Sequence, residues 1–223
     1  MPKLRYLGHS CFVLSAHNIS IIFDPFLTDN PANILKESEV DPNYILVSHA
    51  HGDHLGDGIK IAKRTGAMAI STFEVANLFA EESCTVHGMH LGGKYNFEFG
   101  SVKIIPAFHG SGVAGGHACG FVVDFFGVKV YFAGDTSLFG DMMLVSKLGI
   151  DYALLPIGDN YTMGPEDALS AVKLIHPKTV IPMHYNTWPL IAQDPEDFKT
   201  KVESFCSSKV NIMNPGDEIE LSL

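Results

Sequence analysis

The 223 residues carry 15 lysines and arginines against 25 aspartates and glutamates, a formal charge of −10, and a field of that sign repels nucleic acid and anionic membrane surfaces. At 46% hydrophobic and 18% charged, with 15 Phe and 7 Tyr, the composition excludes disorder and supplies a large core. The four cysteines, Cys11, Cys84, Cys119 and Cys206, are scattered without a CxxC pair, which argues against a disulfide scaffold and for a reducing compartment. No basic segment leading into an apolar run opens the sequence, and no stretch approaches the roughly 18 apolar residues of a membrane span. The expectation is a cytoplasmic protein with neither nucleic-acid nor membrane partners, folded as a single domain over residues 1–223.

In chain order, Lys3–Leu7, Cys11–Leu14 and Ile19–Phe23 read as antiparallel strands joined by turns at Gly8-His9-Ser10 and Ala16-His17-Asn18. Tyr44–Val47 is a near-continuous apolar run of buried-strand type; a helix at Ile59–Arg64 stops at Gly66, a strand follows at Ala67–Ser71 and a helix at Phe73–Glu82. Strands are expected at Lys94–Phe99, Val102–Ala107, Gly120–Phe125 and Val128–Phe132, then a helix from Asp141 to Leu148. Tyr152–Pro156 (strand), Pro165–Ile175 (helix), Thr179–Met183 (strand) and Pro195–Phe205 (helix) alternate before a last strand at Glu218–Leu221. Pro165 and Pro195 suit first-turn helix positions, where a missing N–H is harmless. Two mixed sheets covered by outer helices accommodate this count.

The eleven histidines are not spread at random. The run Val47-Ser48-His49-Ala50-His51-Gly52-Asp53-His54-Leu55 sends an apolar strand straight into three imidazoles and a carboxylate. Residues two apart in an extended segment face one side, so His49 and His51 can address the same ion, while Asp53 and His54, at a turn towards a helix, can serve a second. His109, Asp135 and His184 each end a strand-like run in the same manner. Strand ends place side chains on one rim of a sheet, open to substrate and held from below. Imidazole and carboxylate without thiolate suit zinc, and also accept manganese, iron or nickel.

These residues resemble the metallo-β-lactamase superfamily, whose HxHxDH motif is read here as His49-Ala50-His51-Gly52-Asp53-His54, with His109, Asp135 and His184 following in the superfamily's order. Gly8-His9-Ser10, Phe23-Asp24-Pro25, Gly134-Asp135-Thr136, Thr162-Met163-Gly164-Pro165 and His184-Tyr185-Asn186-Thr187 resemble its small single-domain metal-dependent hydrolases, related to the ascorbate-6-phosphate lactonase group. The resemblance implies an α/β (α+β) fold, a four-layer αββα sandwich. It also implies one metal held by His49, His51 and His109, another by Asp53, His54 and His184, Asp135 bridging them, and Asp24 supporting the site without binding metal. Class B1 β-lactamases carry a cysteine where Asp135 stands. Flavodiiron oxygen reductases replace the second motif histidine with glutamate, against His51 here, and glyoxalase II enzymes add a helical domain for which the 223 − 184 = 39 residues after His184 leave no room.

The expected activity is hydrolysis by a hydroxide bridging two divalent ions, with Asp53 orienting it or shuttling its proton. The substrate class is a small, anionic ester, lactone or phosphodiester. The rival reading is a non-catalytic metal-dependent binding or sensing protein. His9 follows a strand and a glycine, and is a candidate catalytic or ligand-supporting group. His117, after Gly115 and Gly116, competes with His109; His17, His87, His90 and His176 have no motif around them, and the loop Gly158–Met163 suits a pocket wall. The apolar content permits self-association into a homo-oligomer.

Overall fold

The computed structural model describes residues 1–222; Leu223, the last residue of the expected span, lies outside the described residues. The first apolar runs form strands β1 (Lys3–Tyr6), β2 (Phe12–Ala16) and β3 (Ile19–Phe23), each antiparallel to the next. Their alternating inward residues Leu4, Tyr6, Phe12, Leu14, Ile21 and Phe23 are buried. From β3 the pairing turns parallel through β4 (Tyr44–Leu46), β5 (Met68–Thr72) and β6 (Val86–Met89). The helices α1 (Gly52–Leu55) and α2 (Gly58–Thr65) connect β4 to β5, and α3 (Phe73–Glu81) connects β5 to β6. Gly66, with φ +75°, ends α2 where a left-handed residue is required.

The second half repeats the design: β7 (Lys94–Phe97), β8 (Gly100–Pro106), β9 (Cys119–Phe125) and β10 (Val128–Phe132) are antiparallel. They continue into parallel β11 (Tyr152–Pro156), β12 (Thr179–Met183) and β13 (Lys209–Val210). All five β11 residues are buried, as a strand covered on both faces requires. Helices α4 (Pro165–Ile175) and α5 (Pro195–Phe205) both open on proline; Asp194 caps α5 by accepting from the amides of Glu196 (2.9 Å) and Asp197 (3.2 Å). The last strand, β14 (Glu218–Glu220), returns to pair with β1.

Two seven-stranded mixed sheets result among the described residues. Their facing sides enclose a core including Phe12, Phe121, Phe125 and Val130, while α2 and α3 cover one outer face and α4 and α5 the other. Each fully buried Phe or Leu there contributes about 1.5–3 kcal/mol. This is the αββα sandwich. No helix of the described residues is long and apolar enough to cross a membrane.

Three elements differ from the sequence reading. Gly140–Leu148 is a 3₁₀ segment rather than an α-helix, with Met142 and Val145 buried three residues apart, the spacing that a 3₁₀ turn eclipses. Strands β6 and β13 were not expected: β6 contains His87 and Gly88 instead of alternating apolar residues, and β13 has two residues. Both gain their structure from a parallel neighbour.

Strand direction places the chemistry. Strands β1, β3 and β4 run the same way, as do β8, β10 and β12. His9, Asp24, the 49–54 segment, His109, Asp135 and His184 all follow the C-terminal ends of those strands. At the ends of β3 and β10, Phe23 and Phe132 stack across the sheets, 5.0 Å between ring centroids.

Candidate metal centre

After β4 the chain stays extended through Ser48–His51 and enters α1, with His51 as its N-cap. The amide of Ala50 donates to Ser111 O (2.8 Å) and that of Cys119 to Ser48 O (3.0 Å), so this stretch is pinned to loops of the other sheet. His49 Nε2 lies 2.9 Å from His51 Nδ1, and His109 Nε2 lies 3.3 Å from the same atom. These three histidines form one group of donor atoms within 4.8 Å of one another; His9, Asp53, His54 and His184 form another. Asp135 Oδ2 stands between the groups, 3.1 Å from His184 Nε2, 3.3 Å from His54 Nε2 and 3.6 Å from His109 Nε2.

The contacts of Asp135 with His54 and His184 are not hydrogen bonds. Nε2 of His54, both ring nitrogens of His184 and Oδ1 of Asp135 are buried without a hydrogen-bond partner. A buried polar atom without a partner costs about 1–3 kcal/mol, and here the atoms crowd round shared points instead of aligning with each other. Imidazole nitrogens and carboxylate oxygens arranged so fit a divalent cation.

The surrounding residues set the ring tautomers. Asp24, fully buried, accepts from the Ser48 amide at 2.7 Å through Oδ1, and from the Ser48 hydroxyl and His54 Nδ1, both at 2.6 Å, through Oδ2. With its proton given to Asp24, Ser48 Oγ accepts from His49 Nδ1 at 2.9 Å. Both His49 and His54 therefore carry their proton on Nδ1 and turn the Nε2 lone pair to the site, the usual service of a carboxylate or hydroxyl behind a metal-binding imidazole. Asp24 also forms a third group of donor atoms within 4.8 Å with His49 and His54, and both of its oxygens are engaged by these hydrogen bonds.

His9 lies 99% buried between the loops. Its Nε2 donates to Asp53 Oδ2 at 3.1 Å and its Nδ1 accepts from the Thr187 hydroxyl at 2.8 Å, while its carbonyl accepts from the His184 amide at 2.9 Å and from Tyr6 OH at 3.1 Å. Burial lowers its pKa to about 4. Burial, with nearby His54, lowers that of His49 to about 2, so both are neutral donors or acceptors at neutral pH. Burial opposes charge on Asp135 and His54 as well, yet His54 and His184 hold the Asp135 carboxyl well below the usual range, and Asp135 and Asp24 raise the His54 imidazole well above its own. Asp53 is likewise held low, against burial, by the hydrogen bond from His9 and by His54. The carboxylates demand positive charge at the points where the nitrogens converge.

His9, Asp24 and His184 have φ of +57°, +38° and +56°, a left-handed conformation that is strained for non-glycine residues and gathers at functional sites. Gly134 (φ +62°) lets the Asp135 loop approach: a Cβ there would sit 2.7 Å from Cys119 O and 2.8 Å from Ser48 Cβ. At Gly158 a Cβ would lie 2.2 Å from His184 O.

A cavity of about 240 Å³ opens beside the donors, lined by His51, Asp53, His109, Asp135, His184, Tyr161 and Trp188. Tyr161 comes from the loop expected to form a wall. His117, His17, His87, His90 and His176 fall outside the donor groups found among the described residues; the His117 carbonyl accepts from Thr72 Oγ1 instead. The sequence reading quoted Thr187 in a motif without giving it a role, and missed Trp188. The available signal was the chain's single tryptophan, four positions after His184.

Residues 3–184 match the family model of the β-lactamase superfamily domain. With the sandwich and the imidazole–carboxylate rim, this makes the protein a metal-dependent hydrolase of the metallo-β-lactamase class. A UPF0173 metal-dependent hydrolase of Natranaerobius thermophilus is 51% identical over 221 residues, covering 99% of this chain and 100% of that protein. One from Thermus thermophilus is 46% identical over 225 residues, with coverage of 99% and 100%. The chain belongs to the UPF0173 metal-dependent hydrolase family within that superfamily. Igni18, a metallo hydrolase from the hyperthermophilic archaeon Ignicoccus hospitalis, has the same fold with a TM-score of 0.92 at 37% identity over 99% of each chain.

Proposed function

We propose that the chain acts as one domain, in the cytoplasm, hydrolysing an ester, lactone or phosphodiester bond of a small molecule at a dinuclear site. His49, His51 and His109 hold one divalent ion, Asp53, His54 and His184 the other, and Asp135 is shared. The observation that carries this reading is Asp135 Oδ2, within 3.6 Å of ring nitrogens from both groups while two of those nitrogens lack any hydrogen bond. Zinc suits the donor set best, and manganese, nickel or iron are compatible with it. When bound, the ions would supply Lewis-acid polarisation of the substrate oxygen and would acidify water at the site towards neutral pH.

The chain's own groups do the rest. Ser48 and Asp24 hold His49 and His54 with Nε2 deprotonated. His9, fixed by Thr187, orients Asp53 through Oδ2. The Asp53 side chain is 27% exposed, against 3% for Asp135 and 0% for Asp24, so it is the carboxylate placed to accept the attacking water's proton. The anionic substrate expected from the sequence drew on the resemblance to the small hydrolase branch and on the charge of the ions. No lysine or arginine among the described residues lines the cavity to reinforce it.

The test is metal content per chain, for the wild type and Asp135→Asn, with turnover of an ester and phosphodiester panel before and after EDTA. About two equivalents of metal, falling towards one in the variant, with EDTA-sensitive turnover, is expected. One equivalent or none, unaffected by the variant, overturns the dinuclear site. Two equivalents with no turnover on any panel member favours the binding-protein reading.

A further inference from the structure

The cavity beside the donors has two walls that the hydrolytic chemistry does not use. Tyr161 is 55% exposed and Trp188 37% exposed, and large aromatic surface left open beside a reactive centre is the usual mark of a ligand contact. Both rings stand on loops that are held, not loose. The Tyr161 loop is closed by Asp159 N to Met163 O (3.0 Å) and Thr162 N to Asp159 O (3.1 Å), and tied to the Asp135 loop by Met163 N to Thr136 O (2.9 Å). The Trp188 loop is closed by Asn186 N to Ile191 O (3.0 Å), and Gln193 Nε2 reaches across to Gly158 O at 3.3 Å, joining the two loops. The indole also packs edge-on against His9 at 5.0 Å and lies 6.2 Å from the Phe26 ring. Walls fixed in advance lose little entropy when a ligand arrives.

The chemistry between those walls is one-sided. Away from the metal donors, the lining residues are the two aromatics, and no cationic side chain of the described residues joins them. A charged group lodged there would be desolvated without a partner, which is costly, whereas an apolar group gains from burial. We infer that this protein's substrate carries an uncharged apolar group, aryl or short alkyl, on the side of the scissile bond that lies between Tyr161 and Trp188. The cavity of about 240 Å³ has room for a group the size of a phenyl ring. The inference rests on the hydrolase reading only for the bond cleaved, since recognition by the two rings stands without turnover.

The experiment has a kinetic and a binding arm, both on zinc-loaded, full-length protein. In the first, kcat/KM is measured for phenyl acetate against methyl acetate, and for methyl pentanoate against monomethyl glutarate. The wild type is expected to favour the phenyl ester, and the pentanoate over its remotely charged counterpart. Aromatic contacts are worth enough that Trp188→Ala and Tyr161→Ala should each shrink the phenyl-to-methyl ratio by about 3- to 10-fold; comparing ratios between proteins cancels the leaving groups' own reactivity. In the second, phenylacetamide is titrated while the fluorescence of Trp188, the single tryptophan, is followed in the wild type and in Tyr161→Ala. Saturable change, with affinity lowered about 3- to 10-fold by the variant, is expected. Turnover with ratios unmoved by either variant, or preference for the charged ester, overturns this inference and spares the hydrolase. Fluorescence saturation without turnover of any ester supports it and overturns the hydrolase. No saturation, with or without turnover, overturns it.

Discussion

Replacing Asp24 with Asn isolates the support beneath the metal ligands from the ligands themselves. Asparagine tolerates the left-handed φ of +38° as readily as aspartate does, so the backbone is undisturbed and only the acceptor set changes. The carboxylate takes three donors: the Ser48 amide on Oδ1, and the Ser48 hydroxyl and His54 Nδ1–H on Oδ2. A carboxamide has one oxygen, so whichever way it is turned, its NH₂ faces a donor that was 2.6 or 2.7 Å from oxygen. An unpaired buried donor costs about 1–3 kcal/mol, and losing the charge from the other bonds adds to that, giving about 2–5 kcal/mol in all. At about 2–4 °C per kcal/mol for a protein of this size, the melting temperature should fall by roughly 4–20 °C. Freed from its anchor, His54 also loses orientation, and disturbing such a partner weakens metal binding by about 10- to 100-fold. Differential scanning calorimetry and competition with a chelating dye measure the two effects. At saturating metal the stoichiometry should remain that of the wild type, because Asp24 orients a ligand without being one. A variant melting like the wild type with unchanged metal affinity would refute the reasoning, and loss of a whole equivalent at saturation would make Asp24 a ligand.

Stripping the metal with EDTA should lower the melting temperature reversibly, since an ion at 100 times its Kd contributes about 2.7 kcal/mol to the folded state; an unchanged melt after verified removal argues against a site formed only on folding. Gly158→Ala should destabilise the protein and lower bound metal towards one equivalent, because the added Cβ would lie 2.2 Å from the carbonyl of His184; full metal loading in this variant contradicts the packing. Phe121→Ala, in the core between the sheets, should cost about 3–5 kcal/mol in urea denaturation. Its folded fraction should still bind metal as the wild type does, and metal loss without loss of stability would place the residue wrongly.

The fold and the candidate metal centre are legible in the sequence to different depths, for physical reasons. Strands such as Ile19–Phe23 and Val128–Phe132 announce themselves because each has its own apolar pattern, and the proline-headed α4 and α5 because their starts are local chemistry. Strand β6 has no such pattern: Val86-His87-Gly88-Met89 is a strand because β5 offers it a parallel edge. In the 3₁₀ segment, apolar residues at 142, 145 and 148 repeat every three positions, which passes for a helical pattern over so short a run. His49, His51, Asp53 and His54 lie within six positions, so their shared purpose is visible in the chain. The partnership of His9 with Asp53 spans 44 residues and that with Thr187 spans 178; nothing near His9 in sequence foretells it. Trp188 belongs to the cavity only because the loop after β12 folds back over His9.

The backbone bond from the His184 amide to the His9 carbonyl joins the two ends of the story in time as well as in space. As the chain leaves the ribosome, the HxHxDH segment is made early, but His184 and Thr187 emerge only about 130 residues after His54. Until β12 docks, Asp53 and His54 lack their third partner and His9 lacks the hydroxyl that steadies it. Until then the donor group of His9, Asp53, His54 and His184 is incomplete, so the last parallel strands to be made are also the ones that finish the candidate metal centre.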